Sequence, residues 1–378
     1  MSIDKLPDNP YLLLTPGPLS TTKTVKSVML QDWCTWDHDY TDIVQNIRSR
    51  LTTLATASPE YTTVLMQGAG IFCVEAAITT AVPRDGKLLV LSNGPCGFHI
   101  KRIAQTQSIE HIVLDSGQMN TPDLNLLDKT LAMDRSITHV AAVHCEATTG
   151  ILNPAGEIGQ VVKNHGRIFI LDAVSSFGGV PMDLSDIHVD FMICCSDKCI
   201  QGVPGFGFVI ARKESLEQTQ GRARSLSLDL YDQWQTMEKG QGKWRFTSPT
   251  HVVRAFEKAL DELEEEGGIL ARWERYASNN VLLIENMKTL GFSPLLPRSC
   301  QSPIITAFLN PEYETFDFER FYELLKAQGF VIYPGKVTGM ETFRIGNIGD
   351  VHTQDIQELT AAVEKAMFWK EHGLFMQH

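Results

Sequence analysis

The sequence predicts an α/β fold with a mostly parallel central sheet in a large domain, followed by a smaller α+β C-terminal domain. Up to about residue 250, short apolar segments alternate with amphipathic ones, as in a sheet that helices cover on both faces. Beyond that point the pattern changes to long charged helices and then to mixed strands and helices. The 378 residues also exceed what a single hydrophobic core usually supports. We therefore expect a large domain at residues 1–255, including an N-terminal arm, and a small domain at residues 256–378.

The strands expected in the large domain are continuous apolar runs, which are typical of buried parallel strands. They are Thr63–Met66, Lys87–Leu91, His111–Leu114, His139–His144, Arg167–Leu171, Phe191–Cys195 and Phe206–Ala211. The helices between them include Asp39–Ala57 and Gly70–Thr80. Two long amphipathic helices would then link the lobes, at Val252–Glu266 and Ile269–Leu290. The remaining elements are Ile304–Leu309, a helix at Phe318–Gln328, Val331–Tyr333, Thr342–Asn347 and a final helix from Thr353.

The composition is that of a globular protein. Apolar residues make up 43% of the chain, and no apolar run reaches the roughly 18 residues that a membrane span needs. The formal net charge of −12 argues against binding to a nucleic-acid backbone, which requires a clustered basic face. Eight cysteines and the polar start MSIDKLPDNP do not form the pattern of a secreted disulfide protein, so we expect a cytoplasmic location. Cys194, Cys195 and Cys199 lack a second pair of ligands, and no metal site is predicted.

Two residues at the ends of neighbouring predicted strands form the first candidate site. The apolar run Ile168–Leu171 leads into Asp172, which would lie where open α/β sheets bind ligands, although such an aspartate can also simply cap a helix. Lys198 follows the next strand in a turn rich in Gly and Pro, where it could form a Schiff base or merely extend into solvent. A pyridoxal ring requires a carboxylate at its ring nitrogen and a lysine at its aldehyde. The pair therefore indicates a pyridoxal-phosphate site.

A short glycine-containing turn is the candidate for binding the phosphate. Gln67-Gly-Ala-Gly70 follows a predicted strand and opens a predicted helix. Glycines allow backbone amides to approach a phosphate closely, and the helix N-terminus favours negative charge. A turn of this kind alone does not identify a phosphate site, but together with Asp172 and Lys198 it predicts one here.

Several longer motifs are similar to those of one known family. They are Thr15-Pro-Gly-Pro, Gln67-Gly-Ala-Gly, His144-Cys-Glu-Ala-Thr-Thr-Gly, Asp172-Ala-Val-Ser-Ser-Phe-Gly-Gly, Lys198-Cys-Ile-Gln-Gly-Val-Pro-Gly-Phe, Ser225-Leu-Ser-Leu-Asp-Leu-Tyr, Lys243-Trp-Arg-Phe-Thr-Ser-Pro-Thr-His and Phe343-Arg-Ile-Gly-Asn-Ile-Gly. These motifs resemble the 2-aminoethylphosphonate–pyruvate aminotransferases, and they are spread over nearly the whole chain. The resemblance implies a pyridoxal-phosphate-dependent transferase of fold type I that acts on a small aminophosphonate. It also implies a homodimer whose active sites lie at the subunit interface.

The resemblance also assigns roles to individual residues. Lys198 would bind pyridoxal 5'-phosphate and Asp172 would contact its ring nitrogen. Arg344 would bind the anionic end of the substrate, a role that suits a guanidinium, although a surface ion pair is the alternative. Thr247 would reach the phosphate of the partner subunit. The other implied cofactor contacts are Gly68, Ala69, Gly70 and Thr148, and Gly17 is an implied substrate contact.

Four positions around the expected cofactor ring depart from the family pattern. Cys96 stands where related enzymes stack an aromatic residue on the ring, and either Phe72 or Phe98 could take over that contact. The other three departures are His99 for an arginine, Ala147 for a hydroxyl-bearing residue, and Asp197 for an asparagine.

These departures favour elimination over transamination. Elimination needs one substrate with a leaving group next to the amine-bearing carbon, and an acid such as His99 or Asp197 for the departing hydroxyl. We therefore expect an ammonia-lyase that converts 2-amino-1-hydroxyethylphosphonate to phosphonoacetaldehyde and ammonia. If the departures are only structural, the alternative is 2-aminoethylphosphonate–pyruvate transamination, giving phosphonoacetaldehyde and alanine. A non-catalytic binding protein is a third hypothesis, which the joint presence of Lys198, Asp172 and Arg344 disfavours.

Overall fold

The computed structural model describes residues 3–335 and 337–371, and within these ranges the strands form one large sheet and three small ones. In chain order the strands are β1 (Leu12–Leu13), β2 (Tyr61–Gln67), β3 (Lys87–Ser92), β4 (Glu110–Asp115), β5 (Ile137–Val143), β6 (Cys145–Glu146), β7 (Ile151–Leu152), β8 (Ile168–Asp172), β9 (Phe191–Cys195), β10 (Phe206–Arg212), β11 (Ile305–Leu309), β12 (Phe330–Val331), β13 (Tyr333–Pro334) and β14 (Thr342–Gly346).

The large sheet has seven strands in the order β2-β10-β9-β8-β5-β3-β4. Five of them, β9, β8, β5, β3 and β4, pair in parallel, so their carboxyl ends lie at one edge. The strand β10 is antiparallel to both of its neighbours. Only residues 196–205 separate it from β9, fewer than the dozen or so that a parallel crossover needs. The predicted α/β class with a mostly parallel sheet is therefore confirmed, with β10 as the exception.

Helices cover both faces of this sheet and continue into the C-terminal part. They are α1 (Lys23–Ser27), α2 (His38–Ala55), α3 (Gly70–Ala81), α4 (Pro95–Thr106), α5 (Leu124–Met133), α6 (Ala155–Asn164), α7 (Lys213–Glu217), α8 (Leu230–Lys239), α9 (Thr250–Glu266), α10 (Gly268–Thr289), α11 (Phe318–Lys326), α12 (Thr353–Lys365) and α13 (Phe368–Glu371). Several start where an aspartate accepts a hydrogen bond from the first turn, as Asp37 does for α2 and Asp123 for α5. Within the described ranges, no helix has both the length and the apolar character that crossing a bilayer requires.

The C-terminal part has its own sheet and its own core. The strands β11, β14 and β13 form an antiparallel sheet in that order, and β14 carries Arg344 at its centre. Aromatic side chains such as Phe308, Phe343 and Trp369 fill the core beneath it. The N-terminal strand β1 pairs in parallel with β12, so the N-terminal arm is attached to this part of the molecule.

Most predicted elements agree with the structure to within two residues at each end. The predicted strand Val331–Tyr333 is in fact two short strands, β12 and β13. The predicted domain boundary after residue 255 falls inside α9, and the division into two domains stays a prediction.

Candidate active site

Asp172 is the last residue of β8, and the exposed part of its side chain lines a cavity at the sheet edge. Its Oδ1 accepts a hydrogen bond from the amide of Val174 at 3.0 Å. The pKa of this carboxyl is raised to about 6, because desolvation and, to a smaller extent, the nearby Glu146 raise it more than the hydrogen bond from the Val174 amide lowers it. Within the described residues no cation forms an ion pair with Asp172. A carboxylate in this state would be stabilised by a ligand that brings a cation, such as a protonated ring nitrogen.

The cavity next to Asp172 has a volume of about 130 Å³ and mostly apolar walls. Two of the four departures from the family pattern, Cys96 and His99, line it one helical turn apart on α4. The Cys96 side chain is half-buried, whereas His99 is exposed. The remaining lining residues are Ile71, Val74, Val143, Cys145, Val174 and Ser175. The structure thus brings Asp172, Cys96 and His99 into one cavity.

Lys198 lies three residues beyond the end of β9, in the turn that leads toward β10. Its Nζ donates to Asp197 Oδ2 at 3.2 Å. Desolvation lowers the pKa of this amine, but the ion pair with Asp197 raises it, and the net pKa lies above that of an ordinary lysine. Burial raises the pKa of the nearby Cys195 thiol well above its ordinary value, so this thiol is neutral and brings no charge to the amine. Asp197 therefore acts on the amine as an anionic partner.

The N-terminal arm covers this amine. A Cβ atom on Gly17, which has a φ of +112°, would lie 2.2 Å from Lys198 Nζ. The same arm contacts the strand of Arg344, because the amide of Gly346 donates to the carbonyl of Leu14 at 3.0 Å. Gly17, predicted as a substrate contact, is thus placed directly against the predicted cofactor lysine.

The turn after Lys198 is held by a network that sequence reasoning missed. Gln201 has a left-handed φ of +69°, and its Nε2 donates to Tyr276 Oη at 2.7 Å and to the carbonyl of Gly349 at 2.6 Å. The carbonyl of Cys199 accepts from Arg272 Nη1 at 2.7 Å and from Tyr276 Oη at 3.2 Å. These contacts join the lysine turn to α10 and to the segment after β14. The signal in the sequence was a buried polar face on α10, whose partners could not be deduced.

The predicted phosphate-binding turn lies between β2 and α3, but its three residues differ in what they offer. The amide of Gly68, at φ +115°, donates to the carbonyl of Gly205 at 3.1 Å. This amide is therefore already bonded within the protein and Gly68 supplies the turn, while its contact with the phosphate stays a prediction. Ala69 and Gly70 lie at the start of α3, where backbone amides have no partner within the helix. Gly70 packs against Val174, so this helix terminus is close to the Asp172 cavity.

Arg344 is only 3% exposed and is held by neutral oxygen atoms. Its Nε and Nη2 donate to the carbonyl of Pro334 at 3.0 and 2.9 Å, and Nη1 donates to the carbonyl of Ala147 at 2.8 Å. The ring of Tyr333 lies beneath it, 5.0 Å from the guanidinium carbon. Desolvation lowers the pKa of Arg344, and no carboxylate pairs with it in the described residues. The surface ion pair considered for Arg344 is therefore absent, and its charge is available to an anion.

Glu146 is a buried carboxylate of the site to which sequence reasoning gave no role. It accepts hydrogen bonds from the amide of Cys96 at 3.0 Å and from the amide and hydroxyl of Thr148 at 3.2 and 2.8 Å. It thereby attaches the hairpin of β6 and β7 to the start of α4. Thr148 is a predicted cofactor contact, and its hydroxyl donates to Glu146. A charged residue just after the buried strand β5 was the available signal.

Two predicted cofactor residues lie outside the Asp172 cavity. Phe72 is 50% exposed and lines a separate cavity of about 370 Å³ together with Gly68 and Phe246. It packs back over Gly68 on the first turn of α3, and its predicted stacking on the ring is not supported by this position. Thr247 is exposed in a third cavity, of about 340 Å³, together with Tyr40. Neither residue meets Asp172 within one chain.

Comparison with known proteins gives a consistent picture. Residues 26–350 match the family model described as aminotransferase class-V. A 2-aminoethylphosphonate–pyruvate transaminase of Syntrophobacter fumaroxidans is 58% identical over 367 residues, which cover 97% of this chain and 99% of the relative. One of Vibrio cholerae is 57% identical over 364 residues, 96% of this chain and 99% of the relative. The structure of an alanine–glyoxylate aminotransferase from Nostoc sp. is 23% identical with a TM-score of 0.87, covers 97% of each chain, and shows the shared fold.

These relatives confirm the resemblance seen in the motifs, and they contradict the expected ammonia-lyase. Relatives at 57–58% identity over nearly the full chain are named as transaminases. The structure gives a physical reason, because Asp197 accepts a hydrogen bond from Lys198 instead of offering a proton. The prediction of elimination from 2-amino-1-hydroxyethylphosphonate is therefore wrong, and the stated alternative is the better supported.

Proposed function

The chain belongs to the class-V aminotransferase family, and we propose that it transfers the amino group of 2-aminoethylphosphonate to pyruvate, giving phosphonoacetaldehyde and alanine. The observation that carries this proposal is the near full-length similarity to transaminases of that name. The buried guanidinium of Arg344, which forms no ion pair with any described carboxylate, supports it, because the amine substrate and the keto acid both carry an anionic group.

The cofactor of this family is pyridoxal 5'-phosphate, and the residues at this edge of the large sheet fit it. Lys198 would attach it, Asp172 would hold its ring nitrogen in the cationic form, and the amides of Ala69 and Gly70 would bind its phosphate. When bound, the cofactor supplies an electron-accepting ring that stabilises the negative charge formed at the amine-bearing carbon. The raised pKa of Asp172 supports this fit, since a cation next to it would offset the desolvation of the carboxylate.

The remaining steps are the work of the protein's own side chains. Arg344 would bind the phosphonate in one half of the reaction and the carboxylate of pyruvate in the other, which orients each substrate at the same point. The Lys198 amine would act as the base that takes the proton from the amine-bearing carbon of the substrate, and would hold that proton for return. Glu146 would keep Thr148 and the start of α4 in place around the ring.

We further propose a homodimer in which each active site receives residues from both subunits. Support comes from exposed apolar side chains near the phosphate-binding turn, such as Ile71, Phe72 and Phe246, which a second copy would cover. The indole nitrogen of Trp244 is buried without a hydrogen-bond partner in the same region. Thr247 would then reach the phosphate bound by the other subunit. We also propose a cytoplasmic location, which the eight free cysteines favour.

Mixing two defective variants tests the shared site. Lys198→Ala and Thr247→Ala homodimers should each be impaired. After unfolding and refolding together, the mixed dimers would contain one site with both native residues, and activity should return above the sum of the separate variants. A mixture with no gain would contradict a site shared in this way.

The proposed reaction is tested by following the amino group. The purified protein, loaded with cofactor, is incubated with 2-aminoethylphosphonate with and without pyruvate. Alanine should appear only when pyruvate is present, and Lys198→Ala should form none. Release of ammonia without pyruvate, or alanine formation that does not depend on the aminophosphonate, would contradict the proposal.

A further inference from the structure

Lys198 and Asp197 form an ion pair within the turn that follows β9. The distance from Lys198 Nζ to Asp197 Oδ2 is 3.2 Å, and the two side chains are 15% and 16% exposed. An aspartate in a turn often accepts hydrogen bonds from backbone amides a little further along the chain. In the described part of the chain no backbone amide donates to Asp197 in this way, and the only nitrogen donor to its carboxylate is Lys198. The carboxylate is therefore directed at the amine rather than at the backbone.

The surrounding groups cannot supply the same charge. Burial raises the pKa of the Cys195 thiol well above its ordinary value and that of Cys199 to about 12, so both are neutral near pH 7. Gly17, which covers the amine, contributes only backbone atoms. The titratable or charged side chains next to the pair are those of Cys195 and Cys199, with Arg272 of α10 bonded to the carbonyl of Cys199.

We propose that Asp197 is the counter-ion of the Lys198 nitrogen and keeps this nitrogen protonated while it is joined to the cofactor. The proposal depends on the cofactor of the family and not on which amine is the substrate. A carboxylate at this distance stabilises the cationic form, so the proton is lost only at higher pH. A protonated nitrogen also makes the attached carbon more electrophilic, which favours attack by the incoming amine.

The contact between Asp197 and Lys198 should favour the protonated nitrogen after the cofactor is attached, but it should slow the attachment itself. To bind the cofactor, the Lys198 amine attacks the aldehyde, a carbon–nitrogen double bond forms, and one water molecule leaves. Only the unprotonated amine can attack, and Asp197 stabilises the ammonium form. The aspartate therefore slows attachment at neutral pH and stabilises the protonated product once it has formed.

Replacing Asp197 by Asn removes the negative charge but keeps the shape of the side chain, so it tests the effect of the charge alone. In Asp197→Asn, visible absorbance of the loaded protein is followed as a function of pH without any amine or keto acid. The pKa of the cofactor-bound nitrogen should fall by about 1 to 3 pH units. The pKa of the free Lys198 amine should fall as well, and attachment of the cofactor at neutral pH should be faster, by up to about tenfold for each unit by which the pKa of the free amine falls. The matched control is Asp128→Asn, an exposed aspartate on α5 paired with His165, which should change neither value.

A second variant, Asp197→Glu, keeps the charge and should retain most of the elevated pKa. The proposal is overturned if Asp197→Asn titrates like the native protein, if it fails to attach the cofactor at any pH, or if the Glu and Asn variants shift equally. None of these readouts requires turnover. A failed titration would therefore leave the proposed transamination intact, and a failed alanine assay would leave the counter-ion proposal intact.

Discussion

Two parts of the candidate site, a cofactor side at the large sheet and a substrate side at the small sheet, hold opposite charges in opposite ways. On the cofactor side, the carboxylates of Asp172 and Asp197 lie at the ends of β8 and β9, and Asp172 has no cation within the described residues. On the substrate side, the cation of Arg344 is held only by neutral carbonyl oxygens. Each side is thus left with a charge that the protein does not neutralise. The difference suggests that the large sheet is arranged for a cationic ring and the small sheet for an anion.

Removing the reactive amine should have the largest effect on the cofactor side. Lys198→Ala should lower kcat by about 10² to 10⁴-fold or more, because the group that attaches the cofactor and moves the proton is gone. Borohydride reduction followed by peptide mapping should find no cofactor attached to this position. Lys129→Ala, at an exposed lysine of α5, should behave like the native protein. A reduced adduct that persists on the Lys198→Ala protein would contradict the assignment.

The substrate side is tested by a substitution at Arg344 that keeps the positive charge but removes the planar guanidinium. Arg344→Lys loses the planar fork that Pro334 and Ala147 orient, so kcat/KM should fall by about 30-fold or more, or roughly 2 kcal/mol. Steady-state kinetics should show the loss for both the aminophosphonate and pyruvate. Arg320→Lys, at an exposed arginine on α11, is the matched control. A loss confined to one substrate would contradict a single shared anion site.

The raised pKa of Asp172 predicts that the stability of the cofactor-free protein depends on pH. Its folded pKa of about 6 is higher than the ordinary value of 3.8, so the folded state holds the proton more tightly than the unfolded state. The free energy of unfolding should therefore decrease as pH rises from about 4 to about 6, by up to about 3 kcal/mol. Urea unfolding of the cofactor-free protein on both sides of this window should show the loss, and Asp172→Asn should lack it. Equal slopes for the two proteins would contradict the proposed desolvation of Asp172.

The smallest effect is expected at the connection between the two sides. Tyr276→Phe removes the hydroxyl that joins Gln201, Cys199 and Gly349. Because this leaves buried polar groups without a partner, the free energy of unfolding should fall by about 1–3 kcal/mol. Denaturant titration measures this, and Tyr313→Phe, at an exposed tyrosine, should have no effect. A Tyr276→Phe protein as stable as the native one would mean that the network does not link the two sides.

Local patterns in the sequence were enough to predict most of the framework. Continuous apolar runs located the strands of the large sheet, since burial on both faces leaves a simple signature. Asp172 and Lys198 could be paired because each follows one of two consecutive strands that lie side by side. The reversal of β10 could have been inferred only from the short connection before it.

Long-range contacts limited what could be predicted about the site. The amide of Gly68 is bonded to Gly205, a residue far away in the chain that no local pattern connects with it. The position of Phe72 depends on how its side chain packs over the turn, which sequence spacing does not determine. The expected ammonia-lyase was based on residue types around the ring. Those types did not reveal that Asp197 would form an ion pair with its neighbour.

The site depends on the absence of a Cβ atom at Gly17. Any side chain there would collide with Lys198 Nζ, even though the two residues belong to opposite halves of the sequence. If every position of the chain were substituted in turn, replacements at position 17 should therefore reduce activity as strongly as replacements of a catalytic residue. Two causes would act together, because a side chain at position 17 would displace the Lys198 amine and because the φ of +112° there favours glycine.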